Sequence, residues 1–243
     1  MLSEAKLEPA AYLSEPIKVF ALLKRRADLD MAAFSRHWRT RHAEAALKLT
    51  MFFERYVQNH LAEEPLPGFG RAYDGAAELW YANWARCTAL AESEEYRSDA
   101  YLDNFAFLDV DAGGMLVTRP IASPVPRIPR ASACATKAIV FWRRRAGLPA
   151  AEFTAMFQER VSPLLAPEGR CAGAERCIAV PAPGEHAPAF DAVEQVWWAT
   201  EGDFAEDMEA LARTGPDHAL VDRGSSTAAR VAELYVHWQD GRR

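Results

Sequence analysis

The side chains best suited to acid–base chemistry in this chain are His42, Tyr56, Gln58 and His60. An imidazole titrates near neutral pH and can take or give a proton there. His42 follows Phe34 by eight residues and Trp38 by four. On a helix it falls about 80° from Phe34, at the edge of the apolar stripe. From that edge it can reach a space between helix and sheet. The competing reading is a histidine packed beside Trp38 and bonded to backbone. Tyr56, Gln58 and His60 alternate along a strand and so share one face. Three hydrogen-bonding groups on a buried face need partners. A ligand or water-filled pocket would supply them; a solvent-facing row is the alternative. Asp109, after Phe105 and Phe107, is a candidate for orienting a histidine, or else a surface carboxylate or loop cap. The expected site therefore has His42 and His60 as catalytic residues, with His60 and Tyr56 positioning or polarising a substrate oxygen. Trp38, Tyr56, Gln58, Trp80 and Asp109 are its expected binding residues.

Other chemistries lack their signatures. There is no HExxH, no closely spaced His/Asp triad and no Cys/His set, so no metal is expected. There is no phosphate loop and no Ser or Cys nucleophile motif. Cys87, Cys134, Cys171 and Cys177 form no CxxC pair and no legible disulfide framework. The formal charge of −6 disfavours nucleic acid as a partner. No apolar run approaches the roughly 20 residues that span a bilayer. The opening residues lack the apolar stretch of a signal peptide, so the cytoplasm is the expected compartment. The basic clusters Lys24-Arg25-Arg26 and Arg143-Arg144-Arg145 read as turn chemistry, with an anion site as the alternative.

The elements that must position these residues occur twice. Lys18, Arg25, Arg26, Leu29, Phe34, Trp38 and Arg41 return 119 residues later as Lys137, Arg144, Arg145, Leu148, Phe153, Phe157 and Arg160. At a shift of 117, Asp74 through Ala82 matches Asp191 through Ala199. Residues 1–16 form a polar lead-in, 17–119 the first repeat, 120–135 a proline-rich linker and 136–240 the second repeat. In the first repeat, strands are expected over 17–24, 55–61, 76–82 and 115–119. Helices are expected over 31–49, with Asp30 as N-cap, and over 88–101. In the second, strands are expected over 137–143, 175–180, 192–200 and 230–238, and helices over 150–165 and 203–213. A β-α-β-β-α-β order is ferredoxin-like and leaves one sheet face bare. The expected fold is α+β: two ferredoxin-like repeats packed sheet to sheet as an intrachain dimeric α+β barrel.

Comparing the copies suggests where a site lies. His42 corresponds to Val161. Aligning Arg55 with Arg176 sets Cys177 opposite Tyr56, Ala179 opposite Gln58 and Pro181 opposite His60. The polar set is lost together while the framework persists. The first repeat is therefore expected to be the working half, with the larger polar pocket, and the second a structural half filled in part by Trp197 and Trp198.

Val19 to Arg25, Phe34, Trp38, Arg41-His42-Ala43, Tyr56 to His60, Asp74-Gly75 and Glu78-Leu79-Trp80 resemble the EthD family. The resemblance spans most of 17–119 and extends more weakly over 136–238. It implies the dimeric α+β barrel superfamily, which includes monooxygenases, polyketide cyclases, isomerases and haem-degrading enzymes. One fold hosting many chemistries does not select among them. Three readings stand. The first is an enzyme of cofactor-free oxygenase, oxidoreductase, cyclase or isomerase type, moving a proton on an aromatic or polyketide-like metabolite. The second is a binding or redox-accessory protein for a hydrophobic metabolite, and the third a haem protein. No cofactor other than haem is implied. The expected partner is a small hydrophobic molecule, not nucleic acid or membrane, with the chain a monomer or homodimer.

Overall fold

A computed structural model describes residues 14–121, 136–159, 164, 170–183, 187–214 and 218–238. In the first half, β1 (Ile17–Leu23) leads to α1 (Met31–His37), a π-helical turn (Trp38–His42) and α2 (Ala43–Leu47). Strands β2 (Arg55–Pro65) and β3 (Gly75–Tyr81) follow. Then come α3 (Trp84–Glu92), a second π turn (Tyr96–Ala100), α4 (Tyr101–Phe107) and β4 (Gly114–Ile121). The second half contains β5 (Thr136–Trp142), α5 (Ala150–Glu159), β6 (Gly173–Ala179), β7 (Ala192–Trp198), α6 (Glu201–Thr214) and β8 (Thr227–Trp238).

Asp30 caps α1 as expected, its carboxylate accepting from the Ala33 N–H at 2.6 Å. The helix expected from residue 88 begins at Trp84, because Asn83 caps it by accepting from the Arg86 N–H at 3.0 Å. Helical structure then resumes and continues to Phe107, past the expected end. Pro120 and Ile121, expected in the linker, belong to β4 and pair with Cys177 and Arg176. The rest of the expected linker, residues 122–135, lies outside the described residues.

The strands form one closed antiparallel barrel in the order β1-β3-β2-β8-β5-β7-β6-β4. Each half supplies four adjacent strands, and the halves join along both edges through β2–β8 and β4–β6. Hydrogen-bonded edges therefore replace a simple sheet-on-sheet contact, and no open sheet edge is left to attract another chain. Helices cover the outer faces. One apolar core lies between helices and sheet in each half, and a third fills the lumen with Phe20, Leu22, Ile139, Phe141 and Val193.

The lumen also holds charge. Lys18 Nζ lies 2.7 Å from Glu78 and 2.5 Å from Glu175, with its ammonium 4.9 Å from the Trp80 ring centre. Lys137 meets Glu233 and donates to Asn59 Oδ1 at 2.7 Å, and it lies 4.9 Å from the Trp197 ring centre. Burial disfavours the Lys18 charge, but Glu175 and Glu78 overcome that cost and raise its pKa. Glu78 is lowered against its own burial by Lys18 and Lys137. Buried ion pairs are costly to break, since removing one partner strands the other. Lys18→Ala should therefore lose about 3–5 kcal/mol of folding stability in urea titrations.

Candidate functional site

The outer face of the first half's sheet and its helices enclose a cavity of about 310 Å³. Its walls are mostly apolar, with Leu49, Phe53, Leu90 and Phe107 among them. His42, Trp38, Tyr56, Tyr81, Cys87, Tyr96 and Asn104 bring the polar side chains. Cys87 is held as a thiol, because burial pushes its pKa up to about 11.

His42 reaches this cavity from the π turn. In a regular α-helix, residues five apart diverge by about 140°. A π turn closes i→i+5 bonds instead, and here it sets His37 and His42 against one carboxylate. Asp103, on α4 and 9% exposed, receives them both. Its Oδ2 lies 3.0 Å from His42 Nδ1 and its Oδ1 3.0 Å from His37 Nε2. One turn earlier, Asp99 pairs with Arg41 and Lys48 at 2.7 and 2.5 Å, pinning the same helices together. The ring of Phe107 lies 4.8 Å from His37 and 5.0 Å from His42.

A carboxylate at Nδ1 fixes the proton there and leaves the Nε2 lone pair available. His42 Nε2 has no hydrogen-bond partner among the described residues. Burial lowers the His42 pKa, while the hydrogen bond and charge of Asp103 oppose the fall. The arrangement is that of a general base with an orienting carboxylate. Sequence reasoning missed Asp103 and His37. The available signal was an acid at helical spacing between the buried Ala100 and Phe107. Asp109, the residue expected to orient a histidine, is exposed, and its Oδ1 accepts from the Ala112 N–H at 3.3 Å as a loop cap.

Tyr56, Gln58 and His60 share a buried face toward α1, as their alternation requires. His60 does not line the cavity. Its Nδ1 lies 2.8 Å from Ser35 Oγ, its Nε2 3.0 Å from Gln58 Oε1, and its ring 4.4 Å from Trp38. Burial, aided by Arg39, pushes its pKa down to about 3. Gln58 is fully buried and holds Trp38 O and the Tyr56 hydroxyl, standing behind the cavity wall. Trp80 points the other way, into the lumen, where its indole N–H donates to Glu78 Oε1 at 3.0 Å. Trp38 is seated directly on Gly75. A Cβ there would come within 2.5 Å of the indole, so the strand must carry glycine at that point.

The strand ladders correct the internal alignment. β2 pairs Gln58 with Ala77, and β6 pairs Arg176 with Glu194. Lys18–Trp80 and Lys137–Trp197 match as β1–β3 and β5–β7 pairs. Tyr56, Gln58 and His60 thus correspond to Ala174, Arg176 and Ile178, not to Cys177, Ala179 and Pro181. The three-residue error is odd, so it also exchanged faces: Cys177 belongs to the lumen core. Trp198 packs in the second half's outer core, while Trp197 stands over Lys137 in the lumen. Val161 lies outside the described residues. The basic clusters serve the buried carboxylate of Asp74 and the partly buried one of Asp191: the Arg25 N–H donates to Asp74 at 3.0 Å and the Arg144 N–H to Asp191 at 2.8 Å.

The fold is thus a mixed α/β one: a closed barrel of eight antiparallel strands with helices on its outside and a cavity between helices and sheet in the first half. Residues 26–111 of this chain match the family model of the EthD domain. Among solved structures the chain is similar to an anthrone oxidase-like protein, with a TM-score of 0.58 and 8% identity over 93% of this chain and 95% of that one. It is also similar to a candidate monooxygenase from Lactobacillus acidophilus NCFM, with a TM-score of 0.51 and 11% identity over 93% and 97%. The imidazole complex of chlorite dismutase from Candidatus Nitrospira defluvii gives 0.51 and 10% over 90% and 92%. At these identities the likeness is one of fold. No curated protein matches the chain by sequence. Among the described residues, no helix is long and apolar enough to cross a membrane.

The residues present do not fit haem. Its two propionates call for cationic partners, and the cavity lining contains neither Lys nor Arg. Nor is any group of three or more His, Cys, Asp and Glu side chains placed to hold a metal ion among the described residues.

His60 generates a stability prediction. With a folded pKa near 3 and an unfolded value near 6.5, it binds more protons when unfolded between those limits. Its contribution is complete above about pH 6.5 and is lost as pH falls toward 3, by up to about 1.4 kcal/mol per pH unit. Chemical denaturation from pH 7 to 4 should show this slope, and His60→Asn should flatten it.

Proposed function

We propose that this chain is an enzyme that removes a proton from a small aromatic or polyketide-like molecule bound in the first-half cavity. The observation that carries this reading is His42 in the wall of an apolar cavity, its Nδ1 bonded to the buried carboxylate of Asp103. His42 Nε2 takes the proton from an activated carbon or phenol. Asp103 keeps the reactive tautomer and stabilises the imidazolium that forms, and the apolar walls keep water from quenching the resulting anion. Enolisation, cyclisation, dehydration and cofactor-free oxygenation can all begin with this step. The two β-α-β-β-α-β halves are read as a tandem duplication, residues 17–119 and 136–240. In it the first half works and the second completes the barrel. The expected ligand is a small metabolite rather than nucleic acid or membrane.

On a substrate found by turnover screening, His42→Ala should lower kcat/KM by about 10²–10⁴-fold with the fold intact. Saturable binding without any His42-dependent turnover would leave a binding protein instead. The pH profile supplies a second test. Because burial lowers the His42 pKa, kcat/KM should fall only below the ordinary histidine range, and it should be flat above. Asp103→Asn removes the two influences that raise that pKa. Its acid limb should therefore move to still lower pH, with a plateau lower by about tenfold or more.

A further inference from the structure

Ser35, His60, Gln58, Trp38 and Tyr56 form a hydrogen-bond chain whose direction is determined. The Trp38 carbonyl can only accept, so the Gln58 atom 2.8 Å from it is the amide nitrogen. Gln58 Oε1 then faces His60, whose Nε2 must donate across 3.0 Å. His60 Nδ1 is left to accept from the Ser35 hydroxyl at 2.8 Å. At the other end, the Trp38 indole can only donate, and it does so to the Tyr56 oxygen at 2.9 Å. The second Gln58 amide hydrogen reaches the same oxygen at 3.2 Å. Two donors fill the acceptor capacity of that oxygen. The Tyr56 proton itself meets no acceptor among the described residues, and Tyr56 stands in the cavity wall. Burial pushes this phenol up to about 12, so the proton stays in place.

The second half shows that the chain is not required for packing. At the Gln58 position, Arg176 donates to the Phe157 carbonyl at 2.5 Å, as Gln58 does to Trp38. The strand-to-helix bond is kept there, although Ala174 and Ile178 replace Tyr56 and His60. Charge restricts the ligand further. The cavity lining offers no Lys or Arg, and Asp103 lies behind His42. An anion buried there would lose its hydration without a counter-ion.

We propose that Tyr56 is a permanent hydrogen-bond donor to the ligand, and that the cavity selects neutral aromatic compounds carrying a carbonyl or phenolic oxygen. That oxygen accepts from Tyr56 while the acidic proton of the ligand faces His42; only this second part rests on the proton-transfer reading. Gln58 and His60 are positioning residues that keep the Tyr56 oxygen saturated and its proton directed at the ligand.

The test uses three probes of similar size: 2-acetonaphthone, 2-ethylnaphthalene and 2-naphthoate. Calorimetry on the full chain should show the ketone binding about tenfold tighter than the hydrocarbon or the carboxylate. Its C=O stretch should lie at lower wavenumber when bound than in an alkane solvent. Tyr56→Phe should abolish both the ketone's advantage and the infrared shift, with 2-ethylnaphthalene affinity kept within about twofold. Should that variant fail to fold, the probe series and infrared shift on the unaltered protein decide alone. Equal binding of ketone and hydrocarbon, an unshifted carbonyl, tightest binding of naphthoate, or no binding of any probe overturns the proposal. Turnover is read separately. Intact selectivity without His42-dependent turnover keeps this inference and removes the catalytic one. His42-dependent turnover with a preferred carboxylate substrate does the reverse.

Discussion

Each four-strand half of this molecule ends in two strands whose outer N–H and C=O groups need partners. The pairings β2–β8 and β4–β6 satisfy all four edges at once. Much else follows from that closure. It turns the inner sheet faces into a lumen, which must then be filled by side chains from both halves. Phe20 meets Phe141 edge to face there, with ring centres 5.8 Å apart, and Lys18 reaches across to Glu175. A lumen cross-linked in this way resists shear between the halves, because sliding one strand pair would strand buried charges. The outer faces, freed from contact between halves, become the places where helices lie on the sheet, and a space between helix and sheet can be kept open there.

The cavity persists because its rim is held by polar contacts rather than by close packing over its whole area. Asp103 and Asp99, one turn apart, clasp His37, His42, Arg41 and Lys48 on the neighbouring helix. Two clasps at one end hold the helices at a fixed spacing, and the π turn lets both histidines use the same carboxylate. On the sheet side, Gly75 admits the Trp38 indole against the strand itself, closer than any side chain there would allow. Substituting a larger residue at Gly75 would lift Trp38 toward the space that a ligand needs.

The strands and helices were legible in the sequence because their periodicities are strong. The apolar pattern of Lys18 to Leu23 returns at Lys137 and that of Asp74 to Tyr81 at Asp191, with Lys, Asp and Trp kept and the other residue types varied. Edge closure was not legible, since pairing between β2 and β8 leaves no local signature. The candidate site was half legible. His42 could be placed near a helix–sheet space from its distance to Phe34 and Trp38. Asp103 could not be connected to it, because that contact joins residues 61 apart in the chain and depends on a π turn that shifts helical phase. Trp80 was misread for a simpler reason. Both faces of β3 are largely buried, one toward helices and one toward the lumen, so burial alone does not tell which face an aromatic serves.

Correspondence between the halves separates what holds this architecture together from what does not. Lys over Trp in the lumen, an aspartate bonded to an arginine backbone N–H after the first strand, and a donor from the second strand to a helical carbonyl all appear in both. These contacts are the common framework. Against it, the Ser35–His60–Gln58–Tyr56 chain belongs to the first half. A long arginine at position 176 makes the helical carbonyl contact directly, stacks on Phe157 and takes up volume, with Phe153 and Trp198 in the same fully buried region. Gln58 is shorter. It makes the same contact with one amide hydrogen, at 2.8 Å, and its second goes to Tyr56. Where the second half uses one large cation, the first keeps the strand-to-helix contact with smaller neutral groups, and the remaining amide hydrogen of Gln58 ties Tyr56 into the same network.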